Sequence, residues 1–155
     1  MTPAFQATAS GAGDARVLDL KIRNDVSEIE GVVELVQREC EAMRFARTQV
    51  MLNLPVALTE ALSNAILRGN MDDRAKSVRV HVRVDMAALV VDVMDEGDGF
   101  DLAACLVDPT TPDRVHGEDG RGLFLMHKLM DSVERFAGGI HGAGNVVRLT
   151  LRRGS

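Results

Sequence analysis

Glu60 and Asn64 stand four residues apart in "NLPVALTEALSNAILRGN", a spacing that makes their side chains neighbours on a helix. One carboxylate beside one amide oxygen can take up a proton and hold a hard cation. Taken alone, the pair reads first as part of a half-exposed helix whose Glu and Asn meet water. Further on, "VVDVMDEGDGFD" runs an apolar strand into Asp95 and then into Gly97 and Gly99. A hairpin turn, a calcium loop and the close approach of a ligand compete to explain that stretch. A calcium loop needs D-x-[DN]-x-[DN]-G with a glutamate at position twelve, whereas Gly97 fills the third position and Leu106 the twelfth. A hairpin needs a partner strand soon afterwards, and the sequence offers none. A ligand remains: Gly97 and Gly99 clear side chains from its path, and Asp95, partly shielded at the end of a strand, suits the exocyclic amine of a base. In "GEDGRGLFLMHKL", Gly120 and Gly122 open a helix whose free N–H groups and positive dipole end suit an anion. That stretch is neither a Walker loop, lacking G-K-[ST], nor a dinucleotide fingerprint, lacking G-x-G-x-x-G after a strand.

The elements that must position these residues follow from periodicity. "VLDLKIR" alternates as a half-buried strand, and "KSVRVHVRV" and "ALVVDVMD" form two more around a turn at Asp85–Ala87. The second of these is apolar almost throughout, as a central strand should be. In "SEIEGVVELVQRECEAM", Ser27 is a candidate N-cap and Glu30 completes a capping box, while Ile29, Val32, Val33, Val36 and Cys40 repeat at helical spacing. A second helix is expected to start near Asn53–Pro55, proline being tolerated in a first turn. It should end at "RGN", with Gly69 in the left-handed conformation. Its core face is Leu54, Leu58, Ala61, Leu62, Ala65 and Ile66; Ala57, Glu60, Ser63, Asn64 and Leu67 lie opposite. Residues Asp101–Asp119 show no periodicity and read as a functional lid or disordered segment. "GRGLFLMHKLMDSV" is a third helix, and "VERFA" and "NVVRLTLR" are two last strands. The expected architecture is mixed α/β, with helices on one face of a largely antiparallel sheet.

With 155 residues, residues 16–155 read as a single domain and residues 1–15, rich in Ala, Gly, Ser and Thr, as a disordered leader. Aromatic residues make up 3%, with no Trp or Tyr, so bases find few rings to stack on. The net charge of −5 also argues against a nucleic-acid partner. Cys40 and Cys105 form no C-x-x-C pair, which favours free thiols in a reducing compartment. His81, His116, His127 and His141 show no metal spacing. The N-terminus lacks a signal-peptide pattern, and no apolar run approaches the roughly 20 residues that span a bilayer. A cytoplasmic protein with no membrane partner is expected.

In order and spacing, "EALSNAILRGN", "DEGDGFD" and "GRGLFLMHKLMDSV" together resemble the ATP-binding motifs of the GHKL superfamily, which includes gyrase and the histidine kinases. Within it the chain is similar to the small anti-sigma-factor serine/threonine kinases of bacteria, over residues 17–152. The resemblance implies a two-layer α/β sandwich, the GHKL or Bergerat ATP-binding fold, with a mixed, mostly antiparallel sheet. It implies ATP and Mg²⁺, with Asn64 as metal ligand and Glu60 as general base. Asp95 would receive the adenine amine, with Gly97 and Gly99 lining the base. Gly120, Arg121, Gly122 and Leu123 would meet phosphate, and Asp101–Asp119 would be the ATP lid. The partners implied are a sigma factor and a small anti-anti-sigma protein of the STAS type, and such kinases commonly form a homodimer. The chain departs from the common His–Gly–Asn after the helix by having Arg68–Gly69–Asn70, and Arg68 either touches phosphate or caps the helix end. A complete sensor histidine kinase is not expected, because no histidine sits in a histidine-box context and 155 residues leave no room for a dimerisation helix pair. The rival reading is a nucleotide-gated binding switch with little or no kinase activity and a client other than a sigma factor. Glu60 favours the kinase, because a pure switch requires no base.

Overall fold

The computed structural model describes residues 6–12, 15–97, 118–137 and 144–154. Their strands form one sheet, β1 (Gln6–Ala12), β2 (Ala15–Arg23), β3 (Ser77–Val84), β4 (Ala88–Met94), β5 (Ser132–Ala137) and β6 (Asn145–Arg152). The spatial order is β1-β2-β3-β4-β6-β5. The expectation of a mostly antiparallel sheet holds, and among the described strands every pairing is antiparallel. The alternation read from the sequence sets the layers. Leu18, Leu20 and Ile22 of β2, Val78, Val80, Val82 and Val84 of β3, Leu89, Val91 and Val93 of β4, and Val147, Leu149 and Leu151 of β6 are all buried in one core. β4, the most continuously apolar strand, lies between β3 and β6.

The opposite face is polar. There the register places Asp19, His81, Asp92, Arg148 and Glu134 side by side on successive strands. Arg148 grips Asp92 with two bonds of 2.7 and 3.0 Å, and His81 Nδ1 lies 2.5 Å from Asp19 Oδ1. Cross-strand pairs of this kind favour one register over a slip that would turn the valines outward.

The helices α1 (Ile29–Ala42), α2 (Leu54–Asn64) and α3 (Glu118–Leu129) supply the other layer. Val32, Val33, Val36 and Cys40 of α1, Leu54, Leu58, Ala61 and Leu62 of α2, and Met126 of α3 join the same core. Burial pushes the Cys40 thiol up to about 12, so it packs as an inert apolar group.

Local chemistry differs from expectation at four places. Residues 6–12, expected within a disordered leader, pair along β2 as an edge strand; the open ladder of β2 outweighs a composition that has little strand preference of its own. Ser27 is not the cap of α1. A 3-10 turn, Val26–Glu28, precedes the helix, and Asp25 Oδ1 accepts the Ser27 N–H at 3.0 Å, with Arg74 bracing Asp25 at 2.9 Å.

The second helix begins at Gln49 rather than near Asn53. A π-helical turn, Gln49–Asn53, runs directly into α2. Pro55 has no N–H to give, and the wider turn, closed by Leu54 N–H on Gln49 O, lets the helix pass it. A second π turn, Ala65–Gly69, continues α2. The whole run, Gln49–Gly69, is long and apolar enough to cross a membrane by length and composition, contrary to the sequence reading. Its apolar face, Leu54, Leu58, Ala61, Leu62, Ala65 and Ile66, is instead seated in the core. Ala57, placed on the far face, is buried too.

Finally, Gly69 is not left-handed. The helix ends beyond it at Asn70, and at this end the positive φ values belong to Met71 (53°) and Asp72 (55°). Asp72 N–H closes the end on Ile66 O at 2.8 Å.

Candidate functional site

Asp95 follows β4 directly and is 3% exposed. Its backbone N–H donates to Asn145 O at 3.0 Å. Its Oδ1 accepts three N–H groups: from Gly97 backbone at 2.9 Å, Asn145 backbone at 3.2 Å and Asn145 Nδ2 at 3.4 Å. Arg135 in turn donates through Nε (3.1 Å) and Nη2 to Asn145 Oδ1. Among the described residues nothing donates to Oδ2, and that oxygen is not itself fully buried, so one side of the carboxylate is left open. Desolvation raises the carboxyl above its ordinary 3.8, outweighing the N–H groups of Gly97 and Asn145 and the positive charge of Arg135, which pull it down.

Glycines crowd this group from three directions. A methyl on Gly69 would overlap Asp95 Oδ2, one on Gly97 would overlap Gly69 O, and one on Gly144 would overlap Asp95 O. Gly69 is therefore needed for contact with Asp95, and Gly97 is needed first for contact with the chain itself. Gly144 adds a φ of 83° that side chains rarely adopt.

Gly69 ends the same helical run that carries Asn64 and Glu60. At about 1.5 Å per residue, Asn64 lies roughly 7–8 Å along the axis from that contact and Glu60 about 6 Å further. Both side chains are half-buried. Asn64 Nδ2 is the one buried side-chain polar atom without a partner among the described residues, and a half-turn of the amide puts Oδ1 in its place. Such an unpaired atom costs about 1–3 kcal/mol, a cost that a ligand on this face removes. No group of three or more His, Cys, Asp or Glu that could hold a metal occurs among the described residues. The donors present therefore fit a cation held by one protein oxygen, the remainder coming from ligand phosphates and water.

Gly120, Arg121, Gly122 and Leu123 lie in α3, which opens at Glu118 rather than at Gly120. Its first four N–H groups have no helical partner. Gly99 and residues 101–117 of the expected lid lie outside the described residues.

A family model described as the histidine kinase-like ATPase domain matches residues 22–151, from the end of β2 through β6, and so encloses Glu60, Asn64, Asp95 and α3. The chain belongs to this family. Among curated proteins, the ATPase domain is similar to serine-protein kinase RsbW of Bacillus subtilis (strain 168), 37% identical over 86 residues, or 52% of this chain and 54% of that one. It resembles the Bacillus velezensis protein of the same name at 37% over 87 residues, covering 53% and 54%. The Bacillus licheniformis protein of that name is 34% identical over 86 residues, covering 52% and 54%. The chain thus spans about half the length of the curated relatives it matches. In this ATPase domain, sequence reasoning singled out Asp95, Asn64 and Glu60 but missed Asn70, Asn145, Gly69 and Gly144 as its supports. A usable signal was Asn145 at a core-facing position of β6, where Val147, Leu149 and Leu151 continue the inward row.

Proposed function

We propose that the chain is an ATP-dependent serine/threonine protein kinase that binds and inhibits a sigma factor and phosphorylates a small anti-anti-sigma partner of the STAS type, in the bacterial cytoplasm. The observation that most supports this reading is Asp95. A buried carboxylate with one oxygen satisfied three times and the other left over is built to accept from an amine that arrives later, as the adenine amino group would. The domain's membership among ATPases and its similarity to proteins named serine-protein kinase point the same way.

In this reading the base lies against Asp95, and the phosphates extend along the helix past Asn64 toward Glu60. Asn64 would hold a Mg²⁺ ion through its side-chain oxygen, and the ion would neutralise phosphate charge. Glu60, one turn before Asn64, accepts the proton of the client hydroxyl as that oxygen bonds to the γ-phosphorus. The bond from the γ-phosphorus to the β-phosphate oxygen breaks, and ADP leaves. The first-turn N–H groups of α3, with Gly120 and Gly122, supply donors to phosphate oxygens.

Incubation with Mg-ATP and a bacterial lysate should yield ATP-dependent phosphoserine or phosphothreonine on a small protein, located by mass spectrometry. Nucleotide-dependent capture of a partner that never becomes phosphorylated would favour the binding switch instead. A second test concerns the metal. Asn64→Ala should leave ATP affinity in EDTA near wild type but remove most of the gain that Mg²⁺ produces, as read by calorimetry at increasing Mg²⁺. An unchanged gain together with unchanged phosphoryl transfer would make Asn64 a helix-surface residue only.

A further inference from the structure

Asn70 is fully buried, at 0% exposure, and its side chain ties four stretches of chain together. Its Oδ1 accepts the Glu96 backbone N–H at 2.7 Å. Its Nδ2 donates to Asn24 Oδ1 and to Ser77 O, each at 2.9 Å. Asn24 passes the connection on through Nδ2 to Ile66 O (3.3 Å) and Asp73 O (3.0 Å). Glu96 closes the circle, its Oε2 accepting from Ser77 N–H at 2.5 Å and Ser77 Oγ at 3.1 Å. The end of the long helix is thereby locked to the start of β3, to the residue after β2 and to the turn after β4.

Two adjacent pairs share this junction. Gly69 touches the Asp95 carboxylate, and Asn70 holds the N–H of Glu96, the next residue along. A shift of Glu96 therefore moves Asp95 against Gly69 and loosens the Gly97 N–H that occupies Oδ1. We propose that Asn70 is a positioning residue for base recognition: by fixing the Asp95–Gly97 turn it keeps Asp95 Oδ2 aimed at the exocyclic amine of a purine. The proposal rests on the reading that Asp95 receives the adenine amine. It goes beyond that reading by assigning the choice between 6-amino and 6-oxo purine nucleotides to a residue that touches neither.

The experiment compares ATP with inosine triphosphate, which has a carbonyl where ATP has the amine. Affinities are measured by calorimetry under conditions where circular dichroism shows each variant folded. Wild type should prefer ATP. Asn70→Ala should narrow that preference by about 5- to 150-fold, the range expected for losing one buried hydrogen bond. Asn70→Asp keeps an acceptor for the Glu96 N–H, and Asn24→Ala cuts the network one bond further out. Both should keep the preference within about two-fold of wild type, even where they lower the melting temperature. An Asn70→Ala variant that weakens both nucleotides equally, or neither, overturns the proposal. If that variant does not fold, loss of the preference in Asn70→Asp overturns it, and retention supports it. A wild type that binds both nucleotides equally instead removes the adenine reading of Asp95 itself.

Discussion

Replacing Glu60 by Gln is expected to leave ATP and client binding near wild type while slowing phosphorylation of the client by at least about 100-fold. Glutamine matches glutamate in size and hydrogen-bonding reach but cannot take a proton. Glu60 sits one turn before Asn64 on a rigid helix seated in the core, so the substitution changes the charge and basicity of the group and leaves its position alone. General-base assistance contributes about 10²–10⁴ in rate and little to ground-state binding. Single-turnover phosphorylation, measured beside ATP affinity, separates the two effects. Equal single-turnover rates for variant and wild type would take the base role away from Glu60, whatever becomes of affinity.

The second large effect belongs to Asp95, where affinity and stability should move apart. In Asp95→Asn one amide atom can still meet the N–H groups of Gly97 and Asn145, but the other presents N–H instead of a lone pair to the adenine amine. Leaving that amine unpaired costs about 1–3 kcal/mol, or about 5- to 150-fold in ATP affinity. The empty protein should respond differently. Desolvation raises the folded carboxyl above its ordinary 3.8. Its contribution to stability is thus fully present below the unfolded value and is lost as pH rises through the folded one. At neutral pH the wild type carries a buried charge that asparagine lacks, so nucleotide-free Asp95→Asn should melt at or above the wild-type temperature. That advantage should fade as the pH falls through the raised folded value and be gone below about 4. Unchanged ATP affinity would remove the adenine assignment, and a lower neutral-pH melting temperature without nucleotide would contradict the desolvation argument.

Features whose signal is local were legible in the sequence. Alternation in "VLDLKIR" and "KSVRVHVRV" gave β2 and β3 because each has one wet and one buried face. The four-residue spacing of Glu60 and Asn64 survives any shift in where the helix begins. The pairings that support Asp95 were not legible, because they join residues distant in sequence: Asn70 with Glu96, Asn24 with Asn70, Asn145 with Asp95. Gly69 shows the same limit. At a helix end, a glycine reads as a left-handed cap, and only the tertiary contact with Asp95 shows that its missing side chain is what matters. Ser27 is taken up in a 3-10 turn ahead of α1 that Asp25 caps, and Arg74, far along the chain, braces Asp25.

The hydrogen bonds that set the Asp95 turn join residues 26 and 50 positions apart. A partly folded chain in which β6 has not yet inserted between β4 and β5 lacks the Asn145 contacts, and with them the folded setting of the Asp95 carboxylate. On the proposed reading nucleotide binds only the completed tertiary structure, so mass action couples its concentration to folding. At 100 times the dissociation constant, that linkage adds about 2.7 kcal/mol to the unfolding free energy. The energy charge of the cell would then govern how long each molecule survives its proteases, as well as whether it phosphorylates.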